Sequence, residues 1–243
     1  MLFTLAGIFV GDICAQSSDN AQTVQTPPTP LNNAEERAIS WINDIKSGDR
    51  GMQQRAQAEV QFLGPQDAEL VPTLIKYLND QDLVVRFYTV RALGKIGPSA
   101  NGAISELISA YQKESDLDIR VNMVWAIAEI EGANDSRVIP VFTMALSEKD
   151  MIRTNIFTGQ NEESPTATER SRSCALVGLK RLKLNSGDIA KYPDLIIAIK
   201  SNVGYRNRDV SDASEDLLSD LLELTNASTN SSVVITNSPI LKH

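Results

Sequence analysis

The feature that most limits what this chain can fold into is that it repeats itself. Residues 83–96, LVVRFYTVRALGKI, align with residues 117–130, LDIRVNMVWAIAEI, at a constant offset of 34. Val85 and Ile119, Arg86 and Arg120, Ala92 and Ala126, Leu93 and Ile127, Ile96 and Ile130 recur in step. Upstream, Val71-Pro72-Thr73-Leu74-Ile75 matches Ile104-Ser105-Glu106-Leu107-Ile108 at an offset of 33. Each unit therefore reads as two apolar-periodic helices around a short acidic turn, Asn79-Asp80-Gln81-Asp82 in one and Glu114-Ser115-Asp116 in the next. One helical hairpin cannot cover its own apolar stripe, so a period of this length implies stacked units that bury each other.

The same grammar extends in both directions. Backwards, Met52 stands for Val85, Val60 for Leu93 and Leu63-Gly64 for Ile96-Gly97, with Asn33 placed to cap a first helix. Forwards, Val138-Ile139-Pro140-Val141-Phe142 opens a unit that Ala175-Leu176-Val177-Gly178-Leu179 closes, separated by an insertion at about 154–168. Tyr192-Pro193-Asp194-Leu195-Ile196 opens the last unit, which ends in 209–224. The expected fold class is all-α, a right-handed α-solenoid of about five hairpins over residues 34–225, without strands.

Proline near the first helix, an acidic turn, then Val-Arg, Ala-Leu and Ile-Gly make a pattern that resembles HEAT repeats, in particular the short variety named after phycobilisome lyases. Asp80 and Arg86, six apart, match that family's aspartate–arginine pair, which the resemblance implies links neighbouring repeats. Glu114 and Arg120 keep the spacing; Thr168-Glu169 and Ser211 depart from it in the later units. The resemblance runs over roughly 34–224, strongest in 71–132. Worn terminal units are what the capping ends of a solenoid look like.

Composition narrows the function. The formal charge of −8 repels phosphate, which disfavours nucleic acid as a partner. The two cysteines, Cys14 and Cys174, belong to no CxxC or Cys/His cluster, so the sequence offers no zinc site and implies no cofactor. The one histidine is His243, the last residue. That removes the iron-binding His-Glu pairs of deoxyhypusine hydroxylase, an enzyme of similar architecture, and any Ser/His or Cys/His nucleophile system. No phosphate-binding glycine loop is present, and no catalytic residue is assigned. Carboxylates at Asp209, Asp212, Asp216 and Asp220 fall on one helical face and read as a solvated outer surface. Bilin lyases are the remaining enzymatic relatives, and a lyase-like or pigment-chaperone activity is the alternative to a pure binding role.

Both ends of the chain differ from the repeats. Residues 2–10, LFTLAGIFV, are apolar over a signal-peptide length and too short to span a bilayer. With Ile13 and Ala15 as the −3 and −1 positions, residues 1–15 read as a signal peptide, and the protein as exported, periplasmic or secreted. Against this, no Lys or Arg precedes Arg37; a lipid anchor at Cys14 or a cytoplasmic location are the competing readings. Residues 16–33 read as a flexible polar linker and 226–243 as a polar tail.

In solenoids of this kind the second helices line the concave surface, and extended partners lie along it. With Val85, Thr89, Ala92, Leu93 and Ile96 assigned to the core, the groove stripe reads Gln54/Ala58/Phe62, Phe87/Arg91/Lys95 and Val121/Trp125/Glu129. It continues as Arg170/Cys174/Gly178 and Asp212/Asp216/Asp220. A protein or peptide partner is expected there, with Trp125 and Phe87 either displayed as anchors or packed against neighbours. Cys174 is expected to pack as an unreactive thiol. Ile156 and Phe157, in the polar insertion, read as partner anchors or as side chains tucked back on the solenoid. The basic loop Gly204-Tyr205-Arg206-Asn207-Arg208 is a lesser candidate.

Overall fold

The computed structural model describes residues 34–130, 135–148, 152–154, 161–163 and 165–235. Helix formation follows the apolar spacing. In α1 (Ala34–Lys46) the buried residues are Ala38, Trp41, Ile42 and Ile45, one stripe at three- and four-residue steps. Asp49 caps α2 (Arg50–Val60), its carboxylate accepting from the Met52 N–H at 2.8 Å. Asp82 caps α4 (Leu83–Ile96) through the Val84 N–H at 2.8 Å. An acidic side chain here satisfies an orphan amide and the helix dipole together. Gly97, with φ of +66°, ends α4 in a conformation that disfavours side chains with a Cβ.

The first helices of the units are α1, α3 (Val71–Lys76), α5 (Ile104–Lys113), α7 (Ile139–Ser147) and α10 (Pro193–Lys200). Short 3-10 turns lead into three of them, and proline sits at the first turn of α3, α7 and α10, where its missing N–H is no loss. The second helices are α2, α4, α6 (Leu117–Ile130), α8 (Pro165–Arg181) and α11 (Arg208–Ile235), and they pack in sequence order, each on the next. One continuous apolar core runs from Ala38 to Leu221 between the two layers. Ala92, Ala126 and Ala175 are wholly buried where the second helices meet, so small side chains set the close approach.

Four sequence expectations need correcting. The insertion is not strand-free: β1 (Ile152–Thr154) pairs antiparallel with β2 (Asn161–Glu163), with Ile152 opposite Glu163. It also ends sooner than expected, because α8 starts at Pro165, a natural first helical residue. The fifth unit has three helices, since α9 (Ser186–Lys191), capped by Asn185, precedes α10. Finally, α11 continues to Ile235 through residues assigned to the polar tail; no proline or glycine interrupts 209–235, so nothing stops it. The signal-peptide segment, the linker, Ile156, Phe157 and residues 236–243 lie outside the described residues.

Candidate protein-interaction face

The second-helix layer leaves one line of each central helix uncovered. On α4 this line is Val84, Phe87, Arg91 and Lys95, all half-buried, while the rest of the helix apart from Arg86 is enclosed beyond its first residue. The Arg91 guanidinium lies 5.6 Å from the Phe87 ring centre, and Phe87 meets Tyr88 edge-on at 5.1 Å. On α6 the line is Trp125 and Glu129, both half-buried. Trp125 lies across Gly94 of α4: a Cβ on Gly94 would fall 2.4 Å from the indole Cζ3. The indole is therefore both packed on one side and open on the other, which joins the two alternatives the sequence left for it. On α8 the uncovered positions include Arg170, Cys174, Val177 and Arg181. Arg181 reaches back to α6, donating to the Ala128 carbonyl at 2.9 Å and pairing with Glu129 at 3.3 Å.

Two stripe residues are not on this face. Val121 is 1% exposed and forms a small satellite core with Leu117 and Ala167. The cover comes from α8, whose Ala167 belongs to the same cluster. Gly178 is buried as well; an added Cβ would lie 2.4 Å from Phe142 Cζ, so Gly178 faces the first-helix layer. At the ends of the stripe, Gln54, Ala58 and Phe62 are exposed, Phe62 at 81%, and so are Asp212, Asp216 and Asp220. Asp216 pairs with Lys180 at 3.3 Å. Arg91, Lys95 and Arg170 have no carboxylate partner within ion-pair distance among the described residues. Burial pushes the Cys174 thiol up, Glu129 adds to this, and Arg170 and Arg181 oppose it. A thiol held up in this way is not a thiolate nucleophile at neutral pH.

Along one edge of the layers runs a ladder of ion pairs. Arg86 donates to both carboxylate oxygens of Glu114, at 2.7 and 3.2 Å, and through Nη1 to the Asp80 carbonyl at 2.9 Å. Each arginine thus grips its own turn by a backbone carbonyl and the next unit's acid by charge. Arg120 repeats the arrangement with the Glu114 carbonyl at 3.4 Å and the Glu148 carboxylate, and its guanidinium lies 4.5 Å from the Tyr111 ring centre. Tyr111 donates to Glu148 at 2.8 Å, and burial first, then the Glu148 charge, keeps its hydroxyl protonated well beyond the usual phenol range. At the first joint Gln53 takes the arginine position, bonding the Ile45 carbonyl at 3.0 Å, and Lys46 supplies the charge to Asp80 at 2.6 Å.

The scan against family models matches HEAT repeats at two overlapping placements, residues 41–128 and 71–157, the second starting at α3 where the first starts in α1. Residues 41–157 are HEAT repeats. A search of curated proteins found no match.

Within these HEAT repeats and beyond them the sequence reading missed Lys46, Glu148 and Arg172. The signal for two of them was present: Lys46, Asp80, Glu114 and Glu148 follow one another at intervals of 34, the repeat's own offset. Arg172 carries no such signal, since the insertion breaks the period. It is buried, donates to the Glu148 carbonyl and stacks 4.3 Å from the Tyr205 ring centre. At the last joint the ladder changes sign. Glu169, in the position of Arg86 and Arg120, accepts from Arg206 and Asn207 of the next unit, each at 3.1 Å. The basic loop is thereby engaged in holding the solenoid together. Among the described residues no group of three or more His, Cys, Asp or Glu is placed to hold a metal ion, and no helix is long and apolar enough to cross a membrane.

Proposed function

We propose that this protein is a non-catalytic interaction module that holds a protein or peptide segment against the uncovered line of α4, α6 and α8. HEAT repeats in general serve as protein-interaction scaffolds, their stacked hairpins offering a long continuous surface. The observation that carries the reading is Trp125, seated on Gly94 with one side open and flanked by Phe87-Arg91 on one helix and Cys174-Arg181 on the other. A large aromatic group held rigid by its own scaffold loses little freedom when a partner covers it, and aromatic and arginine side chains carry most binding energy at interfaces. The apolar run at 2–10 supports an exported protein, whose partner is then an envelope or extracellular one.

An alanine at Trp125 would disturb the α4–α6 packing as well as the surface, so it is a poor first test. A photocrosslinking amino acid at Lys95, compared with one at Met144 on α7 of the other layer, separates the faces. Capture of a partner from Lys95 and not from Met144 is the expected result. Equal capture from both positions, or none from Lys95, overturns the reading.

A further inference from the structure

The face is basic in an acidic protein, and three of its cations lie close to one aromatic side chain. Glu129 is neutralised by Arg181 and Lys180 by Asp216. That leaves Arg91, Lys95 and Arg170 with no carboxylate partner among the described residues, spread over α4 and α8 on either side of Trp125. Other exposed cations, such as Arg50, Lys113 and Lys200, also lack a carboxylate partner among the described residues, but none of them lies on α4, α6 or α8 beside Trp125. We propose that the segment bound on this face is acidic, its carboxylates meeting Arg91, Lys95 and Arg170 and an apolar side chain resting on Trp125 beside Phe87. This inference rests on the interaction reading above and specifies the partner's chemistry.

The overall charge of −8 does not oppose it at physiological salt. Screening there has a range of about 8 Å, so a bound segment feels the nearest side chains and little of the distant acidic surface. The size of the segment follows from the geometry. Two interhelical steps of about 10 Å separate α4 from α8, and an extended chain advances about 3.3 Å per residue, so about six residues cross the face.

The test uses the full chain and fluorescence anisotropy with three labelled peptides of about ten residues. One alternates Glu or Asp with Leu or Phe, one replaces every acid by Lys, and one replaces every apolar residue by Ser. The acidic amphipathic peptide is expected to bind, more weakly as salt rises, and the serine peptide to lose most of the affinity. Combining Arg91→Gln, Lys95→Gln and Arg170→Gln should weaken the acidic peptide about tenfold or more without lowering the melting temperature. Binding of the lysine peptide as tight as that of the acidic one overturns the acidic partner while leaving the face itself in place. An unchanged affinity in the triple variant, or no binding of the acidic peptide at about millimolar concentration, also overturns it. Crosslinking from Lys95 then decides separately whether the face binds at all.

Discussion

At the scale of the residue, the ladder's members differ in how much each joint depends on them. Lys46 and Asp80 have side chains 40% and 14% exposed, whereas Arg120 and Glu148 are at 14% and 7%. An exposed pair gains little over hydration, so Lys46→Ala should cost at most about 1 kcal/mol in urea denaturation. Arg120→Ala leaves the buried Glu148 carboxylate with Tyr111 as its side-chain donor, and should cost about 3 kcal/mol or more. The acid side of the first joint also titrates usefully. Burial raises the Asp80 carboxyl, but the Lys46 hydrogen bond, the Asp82 N–H and the Lys46 and Arg86 charges outweigh it and hold the carboxyl below its ordinary value. The folded state therefore binds this proton less readily than the unfolded chain. Its contribution is complete above the unfolded value of about 3.9 and is lost as pH falls through the lowered folded value. The stability difference between the wild type and Asp80→Asn should accordingly hold constant from neutral pH down to about 5 and close below about 4.

At the scale of the element, close approach of the second helices is set by what is absent. Gly94→Ala gains about 0.5–1 kcal/mol of helix propensity, but its Cβ would fall 2.4 Å from the Trp125 ring. The ring must move, and a net loss of about 1–3 kcal/mol is expected, with a red-shifted tryptophan emission as the indole swings into water. Trp41, the other tryptophan, stays buried and donates to the Ala56 carbonyl at 2.9 Å, so the shift reports on Trp125. Apart from α9, the existence and order of the helices were legible in the sequence, because a sustained 34-residue offset encodes equivalence of positions. Equivalence is not contact, and that is where legibility ended. Val121 occupies the position of Phe87 yet is buried, because Ala167 of α8, a helix that the insertion shifts out of the period, joins it in a cluster with Leu117. Gly178 occupies the position of Lys95 yet turns inward, since the side chain of Phe142 fills the space in front of it. The ladder's residue types could be read, but that Arg86 passes over its own acid to take Glu114 depends on how far one hairpin rotates on the next.

At the scale of the whole molecule, the joints are a series of nearest-neighbour contacts, and stability in such an array is close to a sum over units and interfaces. The reversed pair at the last joint is open to a charge swap. Glu169→Arg alone and Arg206→Glu alone should each destabilise by about 0.5–1 kcal/mol, because Arg206 is 50% exposed and Glu169 20%. The double swap should recover most of that loss, and a thermodynamic cycle from chemical denaturation measures the coupling.

The reversal of sign also decides which units could be exchanged. Removing the α5–α6 hairpin would set Arg86 opposite Glu148, an attractive match. Removing the α7–α8 hairpin would set Arg120 opposite Arg206, cation against cation. A chain wired this way can lengthen or shorten by whole hairpins ahead of α7 with its charges still matched, and loses that match behind it.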